Sequence, residues 1–108
     1  MKQLKEHMSI LEYLRSLTKT EQKNFIKFAN RKLLEVFSAI ALNILKRNIP
    51  LTRKEIQKLR PYETEIKMLS QRHHSLKKRR KILSTGGMLS SLLSLVPTLI
   101  SGVLAGLS

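Results

Sequence analysis

From Ile82 to Ser108 the chain carries no charged side chain, while the five residues just before it, Lys77-Lys-Arg-Arg-Lys81, are all cationic. That junction limits what the chain can fold into. A leucine-rich, uncharged stretch is stable only when buried against protein or lipid. A run of cations must stay near water or meet counter-charge. Gly86-Gly87 separates the two, where it can cap a helix, act as a hinge or offer a protease cut site.

The charge is large and uneven. Lys and Arg number 21 against seven acidic residues, all Glu, for a net charge of +14. Residues 1–52 hold ten basic and four acidic side chains (net +6), and residues 53–81 hold eleven and three (net +8). Such an excess attracts polyanions, with nucleic acid the first candidate and an anionic membrane surface the second. No cysteine is present, which excludes disulfides and thiolate metal sites. The run Met1-Lys-Gln-Leu-Lys-Glu-His7 lacks the apolar core of a signal peptide, so synthesis in the cytosol is expected.

The apolar spacing is helical throughout, and no segment alternates with period two for long enough to suggest a strand. Leu4, Met8, Leu11, Leu14 and Leu17 mark a first amphipathic helix. Thr18 or Thr20 can cap a second, read from Glu21 to Lys46 on the stripe Ile26, Ala29, Leu33, Phe37, Ile40 and Ile44. Asn48-Ile-Pro50 stops it. Thr52-Arg-Lys-Glu55 is a capping-box pattern for a third helix to about Leu59. Pro61 breaks or restarts the chain before a fourth helix, Tyr62 to Gln71, and Ser75 can cap a fifth, basic one toward Leu83. The expected fold is all-α: a small helical bundle over residues 1–74, a basic segment with the Gly-Gly junction over 75–87, and an apolar helix over 88–108. The core of the body reads as small, which suggests loose packing or folding upon assembly.

The tail carries its own pattern. Ser91, Ser94, Thr98, Ser101, Ala105 and Ser108 form a small, weakly polar stripe, and Gly102 and Gly106 have the GxxxG spacing. Leu92, Leu93, Val96, Leu99, Ile100 and Val103 cover much of the remainder. In a bilayer such a stripe permits close helix–helix approach. A helix of about 21 residues spans roughly 31 Å, near the hydrocarbon thickness, with Pro97 expected to kink it mid-way. Membrane or capsid-protein contact through these residues, and homo-oligomerisation, are the resulting expectations.

Lys77, Lys78, Arg79, Arg80 and Lys81 are the densest candidate phosphate contacts, and the same run fits a nuclear-localisation signal. Arg53, Lys54, Lys58, Arg60, Lys67 and Arg72 extend the cationic surface. Tyr13 and Tyr62 alone are read as near enough to stack on bases, so binding should tolerate any sequence and fall steeply with salt. His73-His74 are adjacent rather than one turn apart and lack Cys or Asp neighbours, so no metal is expected, although the pair can gain charge at mildly acidic pH. No base neighbours a nucleophile, and neither catalysis nor a cofactor is expected.

The order of basic run, Gly-Gly and Leu-rich tail with a central proline resembles the precursors of adenoviral core protein X (mu). Upstream, Ala39-Ile-Ala-Leu-Asn-Ile-Leu-Lys-Arg-Asn-Ile-Pro-Leu-Thr52, Lys58-Leu-Arg-Pro-Tyr62 and Ser75-Leu-Lys-Lys-Arg-Arg-Lys81 are similar to small basic proteins of Polinton/Maverick elements and adintoviruses. The likeness covers roughly residues 33–108. It implies a minor virion or core protein associated with packaged double-stranded DNA, resident in virion and host nucleus, and cut after Gly87 during maturation. Ser84 departs from that family's aliphatic preference two places before the Gly-Gly. The alternative expectation is a membrane-active or tail-anchored protein at an intracellular membrane, with the basic block on the cytosolic side.

Overall fold

Four helix starts in this chain are set by a side chain, Thr18, Asn30, Thr52 or Ser75, that accepts one of the first free backbone N–H groups. The computed structural model describes residues 7–102, and of 100–102 only the helical backbone; all regular structure among the described residues is helical. α1 spans Met8–Ser16 and buries Leu11 and Leu14. Thr18 and Glu21 then form a reciprocal capping box at α2 (Lys19–Ile26), with N–H···O distances of 2.9 and 3.2 Å.

The single long helix expected from Glu21 to Lys46 is instead two. α2 ends at Ile26, and α3 (Arg31–Leu45) starts afresh because the Asn30 side chain accepts the Leu33 N–H at 2.9 Å. Asparagine competes with helical hydrogen bonds in an interior and favours caps. The apolar stripe runs across the break, since Ile26, Ala29 and Leu33 all remain buried. α3 closes with Arg47 at φ 58°, its N–H on the Ile44 carbonyl and that of Asn48 on the Asn43 carbonyl, an αL termination usually given to glycine.

α4 (Arg53–Leu59) carries the expected capping box, with Thr52 N–H to Glu55 Oε1 at 2.8 Å and Glu55 N–H to Thr52 Oγ1 at 3.2 Å. Pro61 sits in a 3-10 turn (Arg60–Tyr62) leading into α5 (Glu63–Ser70). α6 (Leu76–Leu83) is capped by Ser75, whose hydroxyl accepts the Lys78 N–H.

The tail forms two short helices, α7 (Met88–Leu93) and α8 (Val96–Gly102), rather than one kinked at proline. The break falls at Ser94-Leu95. Pro97 is the second residue of α8, in the first turn, where its missing N–H costs nothing. Val103 and Gly106 lie outside the described residues, as do the side-chain surroundings of Ile100 and Gly102. No single helix among the described residues is long and apolar enough to cross a membrane; α6 and the stretch to Leu99 together have the length and composition but are bent by 82°.

The tail is also part of the core. Of 23 buried residues in the single apolar cluster, Met88, Leu89, Leu92, Leu93, Leu95, Val96 and Leu99 come from it. The small core expected of the body is enlarged by this docking. α3 packs on α5 and α6, while α7 lies against α1, α2 and α4, and α8 returns to α1. Polar side chains fix the arrangement. Buried Gln22 donates to the Leu14 carbonyl at 3.0 Å and accepts from Ser90 Oγ at 2.8 Å, joining α1, α2 and α7. The Thr98 hydroxyl donates to Glu55 Oε2 at 2.7 Å, tying α8 to the start of α4. The radius of gyration, 12.6 Å, matches the ~13 Å of one packed unit this long.

The Gly-Gly junction makes the turn between α6 and α7. The α6 C-cap residue is Ser84, so the glycines lie beyond the cap instead of forming it. Gly86 has φ 50°. The Gly87 N–H donates to the Tyr62 hydroxyl at 3.0 Å, and a Cβ on Gly87 would stand only 3.0 Å from that oxygen. Gly86→Ala is expected to cost about 1 kcal/mol, because an L-residue is strained in that region. Urea unfolding would read this as a lower midpoint with an unchanged slope.

Candidate nucleic-acid interface

Helical geometry divides the basic block in two. At 3.6 residues per turn, positions 77, 78 and 81 fall within an arc of about 100°, and 79 and 80 occupy the rest of the circumference. Lys77, Lys78 and Lys81 are exposed, whereas Arg79 is 3% exposed and Arg80 half-buried. The expectation that all five cations are free is corrected: Arg79 and Arg80 are engaged by the protein, and Lys77, Lys78 and Lys81 are the exposed ones.

Arg79 is bound by four acceptors. Its guanidinium donates to Glu35 Oε1 at 3.3 Å, Ser38 Oγ at 3.4 Å, and the carbonyls of Arg72 and His74 at 3.1 Å each. It thus ties the α5–α6 loop to α3. Glu35 also pairs with Arg72 at 3.3 Å, so Arg72 is an exposed cation already partly neutralised. Arg80 Nε and Nη2 both donate to the Ala29 carbonyl, at 3.0 and 2.7 Å. That oxygen was freed where α2 ends. Guanidinium suits such multi-donor roles, while the compact lysine ammonium prefers full hydration, and the sequence KKRRK is sorted accordingly.

The three lysines line an open cleft of about 470 Å³ between α5 and α6, together with Ser75, Thr85, Glu65, Met68 and Ile82. Of the other predicted contacts, Arg53, Lys54, Lys58, Arg60 and Lys67 are all exposed. Lys58 faces a separate cleft with Lys19, Tyr62 and Gly87. Among the described residues, ion pairs engage only Arg15, Arg72 and Arg79 of the lysine and arginine set. Most of the positive charge is left facing solvent.

The acidic groups are largely committed to structure. Burial acts to raise the Glu55 pKa, but hydrogen bonds from the Thr52 backbone, Thr98 and Thr52 side chains, and the Lys58 charge, hold it below the usual value. Glu21 is likewise lowered by its bonds to Thr18. His74 shifts in the direction opposite to acid-triggered charging: desolvation, then His73, Lys78 and Arg79, push its pKa down. Its ring lies 4.3 Å from that of His73 and within 3.2 Å of the Gln71 amide oxygen. No group of three potential metal ligands occurs among the described residues.

The predicted stacking residues are differently used. The Tyr62 hydroxyl is occupied by Gly87, and Tyr13 meets Phe25 edge-on with centroids 6.2 Å apart. The aromatic that sequence reasoning missed is Phe28, 86% exposed at the α2–α3 corner. Its position on an assumed continuous helix hid it, and Asn30 was the available clue. The tail residues Leu92, Leu93, Val96 and Leu99 are buried against the body.

No family model matches the sequence, and no curated protein or solved structure is similar to it.

Proposed function

We propose that this protein is a non-enzymatic, sequence-tolerant DNA-associated protein that neutralises phosphate charge, acting as a minor core component of an adenovirus-like virus or Polinton-type element. The observation that carries the DNA reading is the row Lys77, Lys78 and Lys81: exposed, without an acidic partner within ion-pair distance, and held on a helix that two arginines anchor. Fixed lysines on one arc can follow a phosphate backbone while leaving base edges unread. Arg53, Lys54, Lys58, Arg60 and Lys67 add to the field that draws a polyanion in. The viral context rests on the resemblance of the basic run, Gly-Gly and Leu-rich tail.

The membrane alternative requires Met88 to Leu99 to leave the core. Lipid would restore burial to the tail, but the body would then expose the apolar surfaces that the tail covers. The DNA reading needs no such rearrangement.

The test is duplex binding by the triple variant Lys77→Ala, Lys78→Ala, Lys81→Ala across a salt series. Losing three phosphate contacts should lower the slope of log affinity against log salt by about 3, and affinity by roughly 100-fold near 0.1 M salt. Thermal melting should not change, since all three side chains are exposed. A variant that keeps the parental slope would refute the assignment.

A further inference from the structure

The α2–α3 corner presents an aromatic ring among cations, and it is not free to collapse. Phe28 N–H donates to the Phe25 carbonyl and Ala29 N–H to that of Ile26, both at 3.1 Å. Asn30 caps α3 on one side, and Arg80 clamps the Ala29 carbonyl on the other. Phe28 is thereby held at 86% exposure, with exposed Lys27, Arg31 and Lys32 beside it in the chain. Phe25 lies one turn back, half-buried, and Tyr13 touches it edge-on while remaining 53% exposed.

We infer that this corner is a stacking site for unpaired nucleotides, so that the chain takes single-stranded nucleic acid as well as duplex. The inference rests on the reading of the chain as a nucleic-acid binder, and deepens it by naming a second ligand form. Sequence-tolerant single-strand binding combines cations that follow the backbone with exposed rings on which bases stack. Both elements are present. A duplex offers no free base face to Phe28, whereas an unpaired strand does. Arg80 anchors this corner to α6, the helix that also carries Lys77, Lys78 and Lys81. A single ring would be a sparse anchor for a bilayer, but it is a full platform for one base.

The experiment compares Phe28→Ala and Phe28→Trp with the parent on a poly-dT oligomer, on a duplex of equal length, and on phosphatidylserine-containing vesicles. Phe28→Ala is expected to weaken poly-dT binding by roughly 10-fold, as loss of one stacked base does, and to leave duplex binding and thermal melting unchanged. Phe28→Trp should retain poly-dT affinity, and its fluorescence should be quenched by the oligomer. Parental poly-dT affinity in Phe28→Ala overturns the inference. If the Lys77, Lys78 and Lys81 triple variant still loses both nucleic acids, the phosphate reading survives that failure; if it loses neither, both fall. Equal losses on poly-dT and duplex, or a loss confined to vesicles, also overturn the stacking site.

Discussion

Truncation after Gly87 is expected to abolish cooperative folding rather than to release a soluble DNA-binding body. The deletion removes Met88, Leu89, Leu92, Leu93, Leu95, Val96 and Leu99, each at most 3% exposed. Full burial of an aliphatic side chain contributes about 1.5–3 kcal/mol. Together they amount to about 10–20 kcal/mol before the entropy of ordering the tail, and the deletion also bares the faces of α1, α2 and α4 that they cover, against a net stability of about 5–15 kcal/mol typical of a domain. Two polar ties vanish as well, Ser90 to Gln22 and Thr98 to Glu55. Thermal melting followed by circular dichroism is the direct measurement. A truncated protein with a sharp transition near that of the parent would contradict the docked tail. Proteolytic nicking between Gly87 and Met88 is a different event, since the cut tail can stay in its groove.

Arg79→Ala should be the most damaging single change within the basic block. The guanidinium is almost wholly buried and serves Glu35, Ser38 and the carbonyls of Arg72 and His74. Its loss strands several acceptors, each costing about 1–3 kcal/mol if left unsatisfied, although Arg72 still faces Glu35 and water can reach the loop. The expected net loss is about 2–4 kcal/mol, or a fall in Tm of roughly 10–20 °C for a chain this size. Arg79→Lys should recover little of this, because one ammonium cannot satisfy four separated acceptors. Lys78→Ala, one residue away on the exposed arc, should leave Tm unchanged. Equal melting of Arg79→Ala and Lys78→Ala would show that the two neighbours are not divided between staple and contact face.

Both effects depend on contacts between residues far apart in the chain. Five adjacent cations look alike in one dimension, and composition alone treated them as one patch. Which arc of the basic helix faces inward depends on Glu35 and Ser38, both remote in the chain. The docking of the tail is hidden from the sequence for a similar reason. Its hydrophobicity is plain, but hydrophobicity does not name its partner, and the surfaces of α1, α2 and α4 that receive it are spread from Met8 to Leu59. The split of the long helix was a narrower miss. The stripe Ile26, Ala29, Leu33 keeps its period across the break, and only the capping chemistry of Asn30 signalled it.

What the sequence determined by itself is what neighbouring residues decide. The Thr18–Glu21 and Thr52–Glu55 capping boxes, the Ser75 cap, the helical periods and the surplus of positive charge all follow from groups within a few positions of each other, and they specify an all-α chain with a net charge of +14. Tertiary structure alone decided that Arg79 and Arg80 turn inward, that Phe28 stands out on a corner, and that the tail lies in the core. Those outcomes depend on contacts such as Arg79 to Glu35, 44 residues apart, and Ser90 to Gln22, 68 apart. Bonds over such distances form only once burial of the apolar faces has brought the helices together, so no local rule can anticipate which cation stays free.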